Sequence, residues 1–587
     1  GWLFGFGYFL CSLYWITISL TFDESFKFLI PIAIVLFPAF LGIFYGLITY
    51  LFSVFYSKNV VSTFFIFSIL YGSIEFIRGS ILTGFPWNLI AFSFSESIYF
   101  IQILSVIGTY SFNLICISLF TVPAVFILRK TRKEIIVCFF FIIISVGFLV
   151  FGNLKYNHFN TTADIKNNFT IRAVSPNISL DRFYSGQDEL KIIQELITLS
   201  SPEKKEPTIF LWPEGIIPDS YLRDMDIYKE LFSNSFGNDD LIIMGLNSVK
   251  TKNSENLFFN SMAVFNNKLN LIHSYNKINL VPFGEFTPFE TVLGLIGLKT
   301  VTNDYQSFSK GESLKALSIK NDKIELKLLP LICYEIIYSN RLFKDKNFDY
   351  IINISEDGWF GNSIGPKQHF AHSIFRSIES GKYVIRSANN GISAIINPIG
   401  IIEKKVEIGT TGYIDFKESK ILKSTLYMNY GDKIFFILIL LYIFLIFSFK
   451  KIIIDPCIDG IDHSIEYGGS SAWHRAWHQA WHRAQHRARH RAWHRAWHRA
   501  WHRAHMQSNM ASSIWHRAWH RAWHEHVMML GHATSTSTCN SHSHVLAYVL
   551  VLVLVRVEGK PQRVRSANRH WGRSNRPSDA RSELARH

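Results

Sequence analysis

Cysteine is scarce in this chain, with six in 587 residues. Between the last two of its long hydrophobic blocks there is one, Cys333. A lone thiol has no partner within that stretch, which excludes a disulfide framework there and suits an oxidising compartment. No Cys/His spacing of the zinc-ligand type occurs, so metal sites are not implied, and neither is an organic cofactor. No separate signal peptide is visible. The chain starts at Gly1 instead of Met and reads as an N-terminally truncated product. Charge is also sparse before residue 152.

Hydrophobic length takes the place of charge. Blocks long enough for a hydrocarbon core of ~30 Å run Trp2 to Leu20, Phe28 to Leu51, Val61 to Ile77, Phe100 to Leu128, Ile135 to Phe151 and Ile434 to Phe449. One such block is as well explained by a buried core helix, but five in succession argue against a soluble protein. The division expected is a helical bundle of about five spans (1–152), a polar domain (153–432), a further transmembrane helix (433–451) and a tail (452–587). Arg129-Lys130-Thr131-Arg132-Lys133 and Lys450-Lys451 mark cytoplasmic ends by the positive-inside rule. The polar domain then lies outside, as do the loop Gly79 to Ser97 and the Asp23-Glu24 turn.

Inside the polar domain the apolar runs shorten. Thr170 to Val174, Thr208 to Leu211, Leu241 to Met244, Ser261 to Phe265, Glu325 to Ile332, Tyr350 to Ile354 and Ala394 to Ile396 read as strands. Asp188 to Leu199 and His369 to Glu379 read as helices. This is an α/β domain beside a membrane α-helical bundle. Three chemically useful side chains stand at the ends of apolar runs: Glu214 in Trp212-Pro213-Glu214-Gly215, Lys277 in Tyr275-Asn276-Lys277, and Cys333 ahead of Tyr334-Glu335. A thiol of pKa ~8.5 is mostly protonated at neutral pH. A cysteine nucleophile therefore needs a base to take its proton and a cation to favour the anion that forms, which are the types Glu214 and Lys277 supply. Singly, each has a blander reading as a core cysteine, a turn glutamate and a solvated lysine.

The order of these words resembles the nitrilase superfamily of carbon-nitrogen hydrolases and their acyltransferase relatives. Asn353-Ile354-Ser355-Glu356-Asp357-Gly358-Trp359-Phe360-Gly361 looks like that family's N-x-S-x-D-x-W-F-G segment, and Arg376, Glu379, Arg386, Asn389, Gly391 and Pro398 fit the pattern that follows. Val281-Pro282-Phe283-Gly284-Glu285-Phe286 and Cys333-Tyr334-Glu335 are similar to the apolipoprotein N-acyltransferase family. So are Gly84-Phe85-Pro86-Trp87, with Glu75 and Arg78 ahead of it, and Gly5-Phe6-Gly7 with Trp15.

The resemblance implies a four-layer αββα nitrilase-like sandwich and a Glu214-Lys277-Cys333 triad. It implies an acyl-thioester on Cys333, formed from a membrane phospholipid and passed to the α-amine of a diacylglyceryl-cysteine on an apolipoprotein. Glu285 would orient Lys277 or Glu214, Tyr334 and Glu335 would shape the pocket beside the sulfur, and Trp359, Phe85 and Trp87 would hold acyl chains. The enzyme would be a monomer of a bacterial inner membrane with its catalytic domain on the periplasmic side, without nucleic acid as a partner. The family also usually carries two more helices before the first block here. Three departures stand out: Asn177 to Tyr184 lacks the usual tryptophan, and Glu356 and Lys382 stand where Asn and Arg are commoner. A membrane-anchored amidase using the same triad, or an inactive membrane scaffold, remain alternative readings.

Past Ile454 the chain repeats Ala-Trp-His-Arg from Ala472 to Ala504 and again from Trp515 to His524. From Ile452 onward it carries 19 Lys and Arg against 8 Asp and Glu, so most of the formal net charge of +15 belongs to the tail. A four-residue period drifts around a helix of 3.6 residues per turn, so neither an interfacial helix nor a nucleic-acid face holds together. The tail reads as a translated DNA repeat and is assigned no activity.

Overall fold

The computed structural model describes residues 1–449 apart from 185–187, 219, 253, 287, 289–306 and 340. The repetitive tail, the Tyr548 to Val555 segment and Lys450-Lys451 lie outside the described residues.

Among the described residues, five helical stretches are long and apolar enough to cross a membrane: Trp2–Thr21, Glu24–Phe55, Val60–Arg78, Leu104–Ile127 and Arg132–Thr161. They contain α1 (Trp2–Leu13), α2 (Ile30–Phe55), α3 (Val60–Arg78), α5 (Leu104–Ile127) and α6 (Arg132–Thr161), with the short α4 (Ile98–Ile101) between α3 and α5. Two expectations change. The block from Trp2 to Leu20 is α-helical only to Leu13 and continues as a 3-10 helix, Tyr14–Thr21. The block from Phe100 to Leu128 is interrupted at Gly108 (φ 72°, ψ 174°), where the Tyr427 ring occupies the space a β-carbon would need.

Inside the bundle, α3 and α5 are mostly buried, whereas α1, α2 and α6 are largely exposed, so α3 and α5 form its centre. The other helices turn Ile32, Val35, Leu36, Ile142, Ile143 and Val146 outward. Contiguous apolar surface of that kind is foreign to a water-facing monomer. The final apolar helix has 16 residues, Lys433–Ser448. At 1.5 Å per residue that is about 24 Å, shorter than the other five.

Among its described residues the α/β part holds two six-stranded sheets. Strands β1 (Ile165–Ser175), β2 (Thr208–Leu211), β3 (Leu241–Lys252), β4 (Glu255–Asn266) and β5 (Leu271–Asn276) form the first with β12 (Gly412–Ser419), in the order β12-β1-β2-β3-β4-β5. The second runs β11-β10-β9-β8-β7-β6, from β6 (Leu317–Lys320), β7 (Glu325–Ile332), β8 (Tyr350–Glu356), β9 (Val384–Asn389), β10 (Ser393–Ile396) and β11 (Ile402–Val406). Strand alternation decides what lies where. Ile171, Ala173, Ile209 and Ile243 face Leu328, Ile352, Ile385 and Ile395 across the space between the sheets. On the first sheet's other face, Phe210, Trp212 and Ile242 pack on α7 (Glu189–Ser200) and α8 (Lys229–Ser235). On the second sheet's other face, Leu329, Leu331, Ile351 and Val384 pack with α9 (Gly365–Ser380) and share one core with the membrane helices. The layers are αββα, and α9 lies between the second sheet and the bundle. Two short helices, α10 (Leu426–Tyr430) and α11 (Lys433–Ser448), lead the chain back along the bundle.

Candidate active site

Each triad candidate follows a strand by one to three residues, where a side chain leaves the ladder and points into the cleft at the strand ends. Glu214 comes after β2. The ladder continues past the strand through Trp212 N–H to Ile243 O at 2.8 Å, and the Trp212 indole is anchored on Ser200 Oγ at 2.8 Å. The approach is close enough that a β-carbon on Gly245 would meet Glu214 Cα at 2.6 Å. Lys277 comes directly after β5, with its N–H on Asn260 O at 2.8 Å. Cys333 follows β7 and opens a 3-10 turn, Cys333–Ile337, at φ 46°. A left-handed conformation in a non-glycine residue costs about 1–2 kcal/mol and here lifts the thiol out of the strand direction.

The ammonium of Lys277 donates to Glu214 Oε1 and to Glu285 Oε1, each at 3.0 Å. Asn260 Nδ2 donates to the same two oxygens at 2.7 Å, and Glu356 N–H donates to Glu214 Oε2 at 3.1 Å. Burial alone would push the Lys277 pKa down. The Glu214 and Glu285 carboxylates override it and hold the pKa well above the usual lysine range, so this side chain is a fixed cation. Cys333 shows the opposite balance. Burial and then Glu214 drive its pKa well above the ordinary thiol range, while Lys277 and a hydrogen bond to Ser355 act against them. At neutral pH the sulfur is a thiol that has to lose its proton as it reacts.

Glu335, expected to shape the pocket beside the sulfur, is buried. Its carboxylate accepts from Tyr275 Oη (2.7 Å), Ile278 N–H (2.9 Å), Asn279 N–H (3.1 Å) and Ile332 N–H (3.0 Å). It is a buried strut that ties the Cys333 turn to the Lys277 segment. Tyr334 points toward the bundle, its hydroxyl donating to Gly84 O at 3.2 Å. Tyr338 donates to Thr83 O at 2.9 Å, and Arg341 to Thr83 O and Ser80 O at 3.0 and 3.1 Å. Trp87 is 1% exposed, lies 5.9 Å from the Phe85 ring and donates to Gln368 Oε1 at 2.9 Å. Trp359 is apart from that pair, packed between Phe22 and Phe183. Phe183 thus supplies an aromatic in the segment that lacks the usual tryptophan. The unusual Glu356 is matched by Arg182, which pairs with it, and by Asn389 Nδ2 at 2.8 Å.

Four contributors were not legible as site residues. Asn260 has a signal, since asparagine is depleted in strands yet lies inside β4. Ser355 sits on β8, which pairs in parallel with β7. His369 holds the Cys333 carbonyl from Nε2 at 3.3 Å. Burial and Arg386 lower its pKa, so it is neutral. Its Nδ1 lies 3.0 Å from Asp357 Oδ1 and 3.2 Å from Arg386 Nη2, so the ring bridges the Cys333 carbonyl and the Asp357–Arg386 pair. Behind it, Asp357 receives Arg386 at 2.8 Å and Ser355 at 2.7 Å, and Arg386 holds its pKa below the carboxylate range against burial. The fourth is Gln368.

A sandwich of this layering is the fold of the carbon-nitrogen hydrolases. The Carbon-nitrogen hydrolase sequence model matches residues 193–415, and that of the Apolipoprotein N-acyltransferase N-terminal domain matches residues 1–122. Among similar proteins, the apolipoprotein N-acyltransferase of Rickettsia prowazekii is 34% identical over 78% of this chain and 90% of its own length. That of Rhizobium rhizogenes is 31% identical over 71% and 78%, and that of Rhodopseudomonas palustris 29% over 77% and 85%. The chain belongs to the apolipoprotein N-acyltransferase family, a family of membrane-embedded enzymes.

Proposed function

We propose that this chain moves a fatty acyl group from a membrane phospholipid to the N-terminal α-amine of a diacylglyceryl-cysteine on an apolipoprotein, through a thioester on Cys333. The observation that carries this reading is the pairing of a fixed Lys277 cation with Glu214 beside a protonated thiol. Glu214 takes the thiol proton as sulfur attacks the ester carbonyl carbon. Lys277 and the Tyr334 backbone N–H stabilise the tetrahedral oxyanion, a contribution of about 3 kcal/mol per donor in such sites. Collapse expels the lysophospholipid alkoxide, which recovers the proton from Glu214. The lipoprotein amine then attacks the thioester and gives its proton to Glu214. The thiolate leaves and is reprotonated, and an amide remains. Glu285 and Asn260 hold Glu214 and Lys277 in register, Phe85 and Trp359 are assigned to acyl-chain contact, and the buried Trp87 backs Phe85 instead of meeting the chain itself.

In this reading residues 153–432 work on the periplasmic side of a bacterial inner membrane, as a monomer. Incubation with labelled phosphatidylethanolamine tests it. Label that appears on wild-type but not Cys333→Ala protein and then moves to a diacylglyceryl lipopeptide is the result expected. Release as free fatty acid makes the chain a hydrolase, and absence of label makes it an inactive scaffold.

A further inference from the structure

Helix α9 carries buried charge that the acyl transfer does not use. Glu379 Oε1 accepts from Thr109 N–H and Thr109 Oγ1 at 2.7 Å each and from Ser339 Oγ at 2.6 Å. Arg376 Nε pairs with Glu379 Oε2 at 3.0 Å, and Arg376 Nη2 donates to Thr109 Oγ1 at 2.7 Å. All four side chains are at most 2% exposed. Thr109 is available because α5 breaks at Gly108, which frees the Thr109 N–H from the preceding turn. The Glu379 carboxylate thus caps the second half of a membrane helix from within the α/β domain.

The same helix is held to the bundle at its other end. Gln368 Oε1 accepts from the indoles of Trp15 and Trp87 at 2.9 Å, and Gln368 Nε2 donates to Ser12 O at 3.1 Å. Gln368 and Glu379 are eleven residues apart, about 16 Å along the helix axis. Between these anchors α9 grips the nucleophile turn at both ends, through His369 on the Cys333 carbonyl and Arg376 Nη1 on the Ile337 carbonyl at 3.4 Å. Apolar side chains of equal volume commonly stabilise a fold as well as a buried ion pair does, so stability alone does not account for this cluster, whereas fixing one register does.

We propose that Glu379 is a positioning residue that registers the Cys333 turn against the membrane bundle, so that the thiol meets an acyl chain presented by the bilayer. The inference rests on the thioester reading above. Two rates separate them, measured on the full chain in phospholipid nanodiscs containing fluorescent phosphatidylethanolamine. One is acyl-enzyme formation at Cys333, and the other is alkylation of Cys333 by iodoacetamide, read by peptide mapping. Glu379→Gln is expected to slow acylation by about tenfold or more, the scale set by misplacing a reacting group by an ångström or less, and to leave alkylation within about twofold. Thr109→Val is expected to slow acylation in the same sense, and Thr109→Ser to restore it. Wild-type acylation by Glu379→Gln, or a parallel fall in both rates, overturns the proposal. Should Glu379→Gln fail to fold, equal acylation by Thr109→Val and Thr109→Ser overturns it instead. Wild-type protein without label on Cys333 brings down the thioester reading and this inference with it. A labelled wild type with an unaffected Glu379→Gln removes only the inference.

Discussion

At the scale of single residues, the chemistry of the site follows from which charges share a buried volume. Lys277 has two carboxylates within 3.0 Å, and the Cys333 pKa is raised by burial and by the Glu214 and Asp357 carboxylates and lowered by the Lys277 cation. Alkylation of Cys333 should therefore keep rising beyond pH 9, because the reactive thiolate grows only as pH passes the raised pKa. Removing the carboxylate in Glu214→Gln should move that profile toward lower pH, and removing the cation in Lys277→Met should move it higher. A profile unchanged in Glu214→Gln contradicts the electrostatic account. Asn260 bridges Glu214 and Glu285. Asn260→Ala removes hydrogen bonds to charged groups worth about 1.5–3 kcal/mol, so acyl-enzyme formation should drop by about tenfold or more while the thermal midpoint moves only a few degrees.

At the scale of elements, the site is made by strand ends, and the sequence shows strand ends well. The ranges read for β2 and β7 agree with the structure to the residue, because each is a short β-branched and aliphatic run stopped by Pro213 or by Cys333-Tyr334-Glu335. β5, β6, β9, β11 and β12 were not read. β11 carries three charged residues in a row, Glu403, Lys404 and Lys405, β12 mixes Asp415, Lys417 and Glu418 with its apolar residues, and β9 mixes Arg386 and Asn389 into a fully buried strand. Glu214 and Cys333 stand out because they sit beside those sharp boundaries, whereas Lys277 follows the unread β5 and stands out only through the words around it. Asn260, Ser355, His369 and Gln368 do not stand out, because each acts through a partner distant in sequence that only the folded packing brings near. Gly245 belongs to this scale as well. A β-carbon there would lie 2.6 Å from Glu214 Cα, so Gly245→Ala should shift Glu214 and slow acylation with little change in alkylation. Equal acylation in the two proteins would show that Glu214 tolerates the shift.

At the scale of the whole molecule, the bundle and the sandwich share a core, and the nucleophile turn is bolted to the loop after α3 by Tyr334, Tyr338 and Arg341. This coupling was only partly legible. The GFPW words and the long apolar blocks were visible, but the donors that grip the backbone carbonyls of Ser80, Thr83 and Gly84 are ordinary tyrosine and arginine in sequence. The proposed orientation makes a prediction of its own. Cysteines placed at the exposed positions Ile227 and Lys130 should divide, with Ile227→Cys labelled by an impermeant maleimide on intact spheroplasts and Lys130→Cys only after permeabilisation. The reverse pattern contradicts a periplasmic active site.

The most direct test of the central claim is peptide mass mapping of the full chain after brief exposure to phosphatidylethanolamine bearing an isotopically labelled acyl chain. The account predicts one labelled acyl group on the peptide containing Cys333, released by neutral hydroxylamine as a thioester and discharged by a diacylglyceryl lipopeptide. Label on any other side chain, or a Cys333 adduct that the lipopeptide fails to discharge, contradicts it.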